Sequence, residues 1–245
     1  MSIYETIYKV LVATPTPSGE LQPFVKETIR TTQTQNRQIL LAYPPKVGGT
    51  FMRQALINLL SKNYQSYLSR GAYANTDHSR DLHFPSVLNQ HIVQTQPPGA
   101  AVMHLHMYPS RHVTDMIETF DIPVVITTRD ILDTLLSGIN MTEGMEKNND
   151  FIDDAIVSNG KPYLEMTAEE RRHSVVNIVP VWYARFYAQW LRYDHECRAL
   201  GKRTPLWLRY DELVTEPEDV LARIARHTDP KHAYTAVQIK DALET

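Results

Sequence analysis

The stretch ILLAYPPKVGGTFMRQALINLL, Ile39 to Leu60, decides how the chain is read. Its opening residues, Ile39–Tyr43, form an apolar run too short for a core helix but right for a buried strand. Its second half sets Phe51, Met52, Ala55, Leu56, Leu59 and Leu60 on one stripe at helical spacing. Between the two, PPKVGGT must turn the chain sharply. Strand, tight loop and helix together form the layout in which backbone N–H groups and a helix N-terminus receive an anion. Gly48 and Gly49 let backbone approach a ligand with no Cβ in the way, Lys46 brings a point charge, and Thr50 a hydroxyl. A nucleoside-triphosphate loop carries its lysine after the glycines; here the lysine precedes them. Taken alone, the segment also reads as a Gly-rich turn with a solvated lysine.

Three further apolar runs read as strands: Ala100–His106, Pro123–Thr128 and Pro205–Tyr210. Helical patterns follow. Ile131, Leu132, Leu135 and Leu136 repeat at helical spacing after the third run. A T-x-x-E capping box at Thr167–Glu170 opens a long segment lined by Val175, Val179, Trp182, Phe186 and Trp190, which Pro180 is expected to kink. A second box, Thr215–Glu218, is expected to open a helix with Pro217 in its first turn. Strands alternating with helices predict a single α/β domain over residues 1–245, a parallel sheet flanked by helices in three layers. Residues 1–37 read as a weakly patterned lead-in and 141–166 as an insert or lid.

The bulk numbers narrow the function classes. A net charge of −3 with 22% charged residues gives no strong electrostatic case for a nucleic-acid or anionic-membrane partner, though a near-neutral total can hold a local basic pocket. The single cysteine, Cys197, excludes an internal disulfide framework and fits a reducing compartment. No apolar run approaches the roughly 20 residues of a membrane-spanning helix, and no secretory or transit pattern is read at MSIYETIYKV. The expectation is a soluble, cytoplasmic protein.

Two more constellations carry chemistry. In TTRDILDTLLSG, Arg129 leaves a strand and Ser137 follows eight residues later, so guanidinium and hydroxyl can grip one phosphate. The plain alternative is an ion pair of Arg129 with Asp130 or Asp133. In MHLH, His104 and His106 share one face of a strand's C-terminal end, where open α/β sheets bind ligands. A buried structural pair or a metal pair is the alternative, although no neighbouring cysteine or acid completes a metal set.

In this order the motifs resemble the sulfotransferase family, whose members use 3′-phosphoadenosine 5′-phosphosulfate (PAPS). The family's loop P-[KR]-[ST]-G-[ST]-[ST]-[WF] corresponds to Pro45-Lys46-Val47-Gly48-Gly49-Thr50-Phe51; its arginine with a serine eight residues on corresponds to Arg129 and Ser137; its LRYEDL corresponds to LRYDEL, Leu208–Leu213. The resemblance spans roughly Ile39 to His227. It implies a P-loop-like fold, with Lys46, Val47, Gly48, Gly49 and Thr50 at the 5′-phosphate and Phe51 stacked on the adenine. It also implies Arg129 and Ser137 at the 3′-phosphate and Tyr210 near the adenine. His106 would be the base, in place of the histidine of a K-x-H pattern, with His104 standing where that pattern has lysine. Val47 and Gly49 depart from hydroxyl residues, and the family's C-terminal arginine-lysine-glycine loop is absent; the chain ends in YTAVQIKDALET, so either a helix closes the site or the natural protein continues.

The function so implied is transfer of a sulfuryl group from PAPS to a hydroxyl of a small organic or carbohydrate acceptor, leaving 3′,5′-adenosine bisphosphate (PAP). The transfer is in line, His106 takes the acceptor's proton, Lys46 neutralises the leaving phosphate, and the scheme requires no metal. Acceptor contacts are expected from His104 and from the 64–91 segment, with Tyr73, His83 and Phe84 the named residues there. A small-molecule acceptor and a homodimer are the partners considered; no nucleic acid is. A P-loop phosphotransferase and a non-catalytic binding protein of the same fold are the alternatives.

Overall fold

The computed structural model describes residues 37–64, 100–143, 157–158, 161–162 and 165–244. Strand β1 (Arg37–Leu41) and the residues just beyond it alternate between two apolar clusters. Leu40 and Ala42 enter one; Ile39, Leu41 and Tyr43 enter the other. A strand covered on both faces must divide its side chains this way.

On one face, α1 (Gly49–Leu60) lays Met52, Ala55, Leu56, Leu59 and Leu60 against that second cluster. Strand β2 (Ala100–His104) pairs parallel with β1, and α2 (Arg111–Thr119) returns over the opposite face with Val113, Met116 and Ile117. Strand β3 (Val124–Thr128) then pairs with the other edge of β1, and α3 (Ile131–Glu143) follows it. A small antiparallel ladder, β4 (Val157–Ser158) with β5 (Lys161–Pro162), lies apart from the main sheet, within the expected insert.

The long helix α4 (Ala168–Ala199) buries Phe186, Trp190, Tyr193 and Cys197 on the α2 face. With strand β6 (Leu206–Arg209) the described residues form a four-stranded parallel sheet of order β2-β1-β3-β6. Helices α5 (Tyr210–Thr215), α6 (Pro217–Thr228) and α7 (Ala236–Leu243) cover the α1 face. The three-layer α/β architecture is the one expected. Among the described residues, no helix is long and apolar enough to cross a membrane.

Sheet order fixes where a ligand can sit. The chain leaves β1 for β2 on one side, then crosses to β3 on the other side over the opposite face. Outside the C-terminal end of β1 the two crossovers diverge and open a crevice.

Helix α4 runs through Pro180 without a break. Two local expectations are corrected. Thr215 does not cap α6: its hydroxyl donates to the Asp211 carbonyl and closes α5, while Glu216 takes the cap position and Pro217 the first turn. Leu132 and Leu136 are exposed, because the face of α3 turned inward carries Thr134 and Leu135 instead.

Candidate functional site

The loop after β1 is built of residues that cannot offer many donors at first. Pro44 and Pro45 have no N–H. Lys46 then takes a left-handed conformation (φ 64°), as does Gly48 (φ 81°). Left-handed residues interleaved with ordinary ones turn successive N–H groups toward one side, the geometry of an anion nest. Among the described residues, the N–H groups of Gly48, Gly49 and Thr50 donate to no backbone carbonyl, as expected where a helix begins. Lys46 is half-buried, Thr50 exposed, and Phe51 is 47% exposed beside the loop. The Val47 side chain is fully buried in the core, so this residue can face a ligand only through its backbone.

Gly49 is required by its close neighbours, Gly48 by its left-handed backbone. A Cβ on Gly48 would meet the Tyr210 ring at 3.4 Å; one on Gly49 would lie 2.6 Å from His104 Cε1 and 2.9 Å from Tyr43 Cδ2. The space a side chain would occupy is taken by His104 and Tyr43.

Arg129, just past β3, ties the second motif to the first. Its Nη1 donates to the Lys46 carbonyl at 2.7 Å, and its guanidinium lies 4.0 Å over the Tyr210 ring. Its Nε is buried without a hydrogen-bond partner among the described residues. Asp130 does not pair with it; its carboxylate accepts from the Leu132 and Asp133 N–H groups and caps α3. Ser137 lies half-buried on α3, about two turns from Arg129, and no direct contact joins the two. Tyr210, at the start of α5, brings the LRYDEL segment to the same place.

His104 and His106 lie at the end of β2 on the α1 side, their rings 5.0 Å apart and edge to face. Both are buried. His106 Nδ1 bonds to the Tyr43 carbonyl. A carbonyl only accepts, so Nδ1 carries the proton and Nε2 is left with its lone pair. Burial lowers the His106 pKa, an effect that the bond to Tyr43 only partly offsets. The ring is therefore neutral near pH 7, in the tautomer a base needs.

Helix α4 supplies two tyrosines that the sequence did not single out, beside Trp190 of its expected apolar stripe. The Tyr183 hydroxyl donates to the Pro45 carbonyl at 2.6 Å, Tyr187 to Thr127 at 3.3 Å, and Trp190 Nε1 to Met107 at 3.0 Å. These reach the segment after β1, the last residues of β3 and the segment after β2 in turn. Polar-tipped aromatics at i, i+4 and i+7 within a buried stripe were the available signal, since such tips need partners. Tyr73, His83 and Phe84 lie outside the described residues.

A cavity of about 350 Å³ lies instead at the N-terminal ends of β3 and β6, lined among others by Lys202, Arg203 and Tyr193. Its cations are already paired, Lys202 with Glu118 and Arg203 with Asp121, which leaves little charge for an anion.

Fold and site together define a doubly wound α/β protein with an anion-cradle geometry at its topological switch point. No protein-family model matches the chain, and no curated protein does. Among solved structures it is similar to a retinol dehydratase in complex with androsterone and inactive cofactor PAP. That likeness has a TM-score of 0.52 at 14% identity, over 84% of this chain and 63% of that one. It is also similar to a retinol dehydratase in a complex with retinol and PAP, with a TM-score of 0.49 at 14% identity, over 98% of this chain and 77% of that one. The chain thus spans under two thirds of the first of these proteins, and at such identity the likeness is one of fold.

Proposed function

We propose that the protein is a sulfotransferase that moves a sulfuryl group from PAPS to a hydroxyl of a small organic or carbohydrate acceptor. The observation that carries the reading is Arg129: from the end of β3 it reaches the carbonyl of Lys46 and the ring of Tyr210, gathering three separated motifs around one loop. Its buried Nε, without a hydrogen-bond partner among the described residues, is a donor suited to a phosphate. The crevice also suits a nucleotide's parts: a nest of N–H groups with Lys46 for the 5′-phosphate, Arg129 and Ser137 for the 3′-phosphate, and exposed Phe51 with Tyr210 for the adenine. The PAP named with the retinol dehydratase of the same fold supports the same donor.

When bound, the donor supplies an activated sulfuryl group whose S–O bond to phosphate breaks as the acceptor oxygen bonds to sulfur. His106 receives the acceptor's proton at Nε2, and the Tyr43 carbonyl holds its ring in place. Lys46 and the loop N–H groups meet the charge that builds on the phosphate side. Buried Cys197, as the lone cysteine, suits a reducing, cytoplasmic setting.

The test is thermal unfolding with PAP, with ATP and Mg²⁺, and with neither. At a hundredfold excess over Kd, PAP should stabilise by about 2.7 kcal/mol, which for a chain of this size raises Tm by roughly 5–11 °C. Lys46→Ala and Arg129→Ala should each remove most of that shift. A shift with ATP and Mg²⁺ but none with PAP would make the protein a phosphotransferase instead.

A further inference from the structure

We propose that Tyr183 is a positioning residue for the donor loop, acting with Arg129 and His106 to fix which way the loop's peptide groups face. The inference rests on the sulfotransferase reading for the identity of the anion. Its basis lies in the backbone between Tyr43 and Lys46. That stretch has four carbonyls, and because residues 44 and 45 are proline it has few N–H groups to balance them. Carbonyl oxygens facing into the cradle would repel a phosphate. Three of the four are instead held by donors. The Tyr43 carbonyl takes His106 Nδ1, the Pro45 carbonyl takes the Tyr183 hydroxyl at 2.6 Å, and the Lys46 carbonyl takes Arg129 Nη1 at 2.7 Å.

With consecutive carbonyls at 45 and 46 bound to these donors, the left-handed turns at Lys46 and Gly48 are free to present the following N–H groups. Two of these three holders also belong to the proposed chemistry: His106 as base, Arg129 at the 3′-phosphate. Tyr183 alone has no other assigned task. It is buried, stacked edge to face on Trp182 and fixed on the long helix α4, so its hydroxyl is a rigid stop for the loop. Burial raises its pKa, with Tyr187 adding to the effect and Arg129 opposing it, so it stays protonated and remains a donor. Rigid placement of this kind lowers the ordering cost of binding.

The experiment compares Tyr183→Phe with the unsubstituted protein by calorimetry, using two probes. PAP engages the loop through its 5′-phosphate; adenosine 3′-monophosphate lacks that group. Losing one buried hydrogen bond to the loop should weaken PAP about five- to tenfold while leaving adenosine 3′-monophosphate within about twofold. Tyr187→Phe, one turn along the same helix and bonded to Thr127 instead, should not change the ratio of the two affinities. Equal PAP affinity in Tyr183→Phe, or equal loss for both probes, overturns the positioning role and leaves the donor reading standing. If the unsubstituted protein binds PAP no better than adenosine 3′-monophosphate, the 5′-phosphate site itself is refuted, and the positioning role with it.

Discussion

Replacing His106 with asparagine tests whether this ring is neutral in the folded protein. Asparagine keeps an N–H that can serve the Tyr43 carbonyl but cannot titrate. Burial is the larger cause of the lowered His106 pKa, and the carbonyl bond, available to the neutral ring as well, opposes it only in part. In the unfolded chain the group returns to about 6.5. The folded pKa is thus below the unfolded one. The unfolded state binds the extra proton as pH falls, so stability is fully present above about pH 6.5 and is lost on acidification. Were the folded ring to take up no proton at all over this range, the linkage between pH 7 and pH 5.5 would be about 1.2 kcal/mol. This is a ceiling and corresponds to roughly 2–5 °C in Tm for a chain of this size. The assay is urea unfolding of both proteins across that pH range, taking their difference so that shared titrations cancel, including that of His227, whose pKa burial also lowers. The unsubstituted protein should lose stability relative to His106→Asn as pH falls. A constant difference would show that folding leaves the His106 pKa unshifted, and one of opposite sign that folding raises it; either would refute a ring kept neutral by burial.

Gly49→Ala should destabilise by about 1–2 kcal/mol, as overpacking against His104 and Tyr43 exceeds the gain in helix propensity. In a His104→Ala background the cost should largely disappear, and additive unfolding energies would contradict the close contact. Arg129→Lys keeps the charge but loses the Nη1 bond to Lys46 and the stacking on Tyr210; a loss of about 2–3 kcal/mol follows. An unchanged Tm with full PAP affinity would mean that charge alone matters there.

The fold was legible because its signals are local and redundant. Ile39, Leu40, Leu41 and Tyr43 fill both faces of β1, and a short, wholly apolar run has little else to become. The order of motifs also placed Lys46, Arg129, Tyr210 and His106 at strand ends, and strand ends of a parallel sheet converge. What the sequence withheld was pairwise. Arg129 had Asp130 and Asp133 as nearer partners in the chain, yet the helix cap claimed Asp130 and the arginine found a carbonyl 83 residues away. Likewise Leu132 and Leu136 fit an amphipathic stripe, but which stripe of α3 meets the protein depends on tertiary packing that periodicity does not encode. Tyr183 carried only the weak cue of a polar tip on a buried face.

Two departures from the sulfotransferase motifs turn out to have one physical origin. The resemblance expects a hydroxyl residue where Gly49 stands and a lysine where His104 stands. Read separately, each weakens the likeness. In the structure the His104 ring fills the volume that a side chain at 49 would need, because β2 and the first turn of α1 approach closely behind Tyr43. A flexible lysine could bend away from a serine or threonine at 49; a planar ring seated edge to face on Tyr43 and on His106 cannot. Glycine at 49 is therefore the residue that a histidine at 104 permits, and the cradle gives up a hydroxyl donor at 49 while His104 comes to lie against its first helical turn. On the proposed function the loop would hold its anion more by backbone N–H groups than by side-chain hydroxyls, which is why the orientation of the Pro45 and Lys46 peptides would matter here.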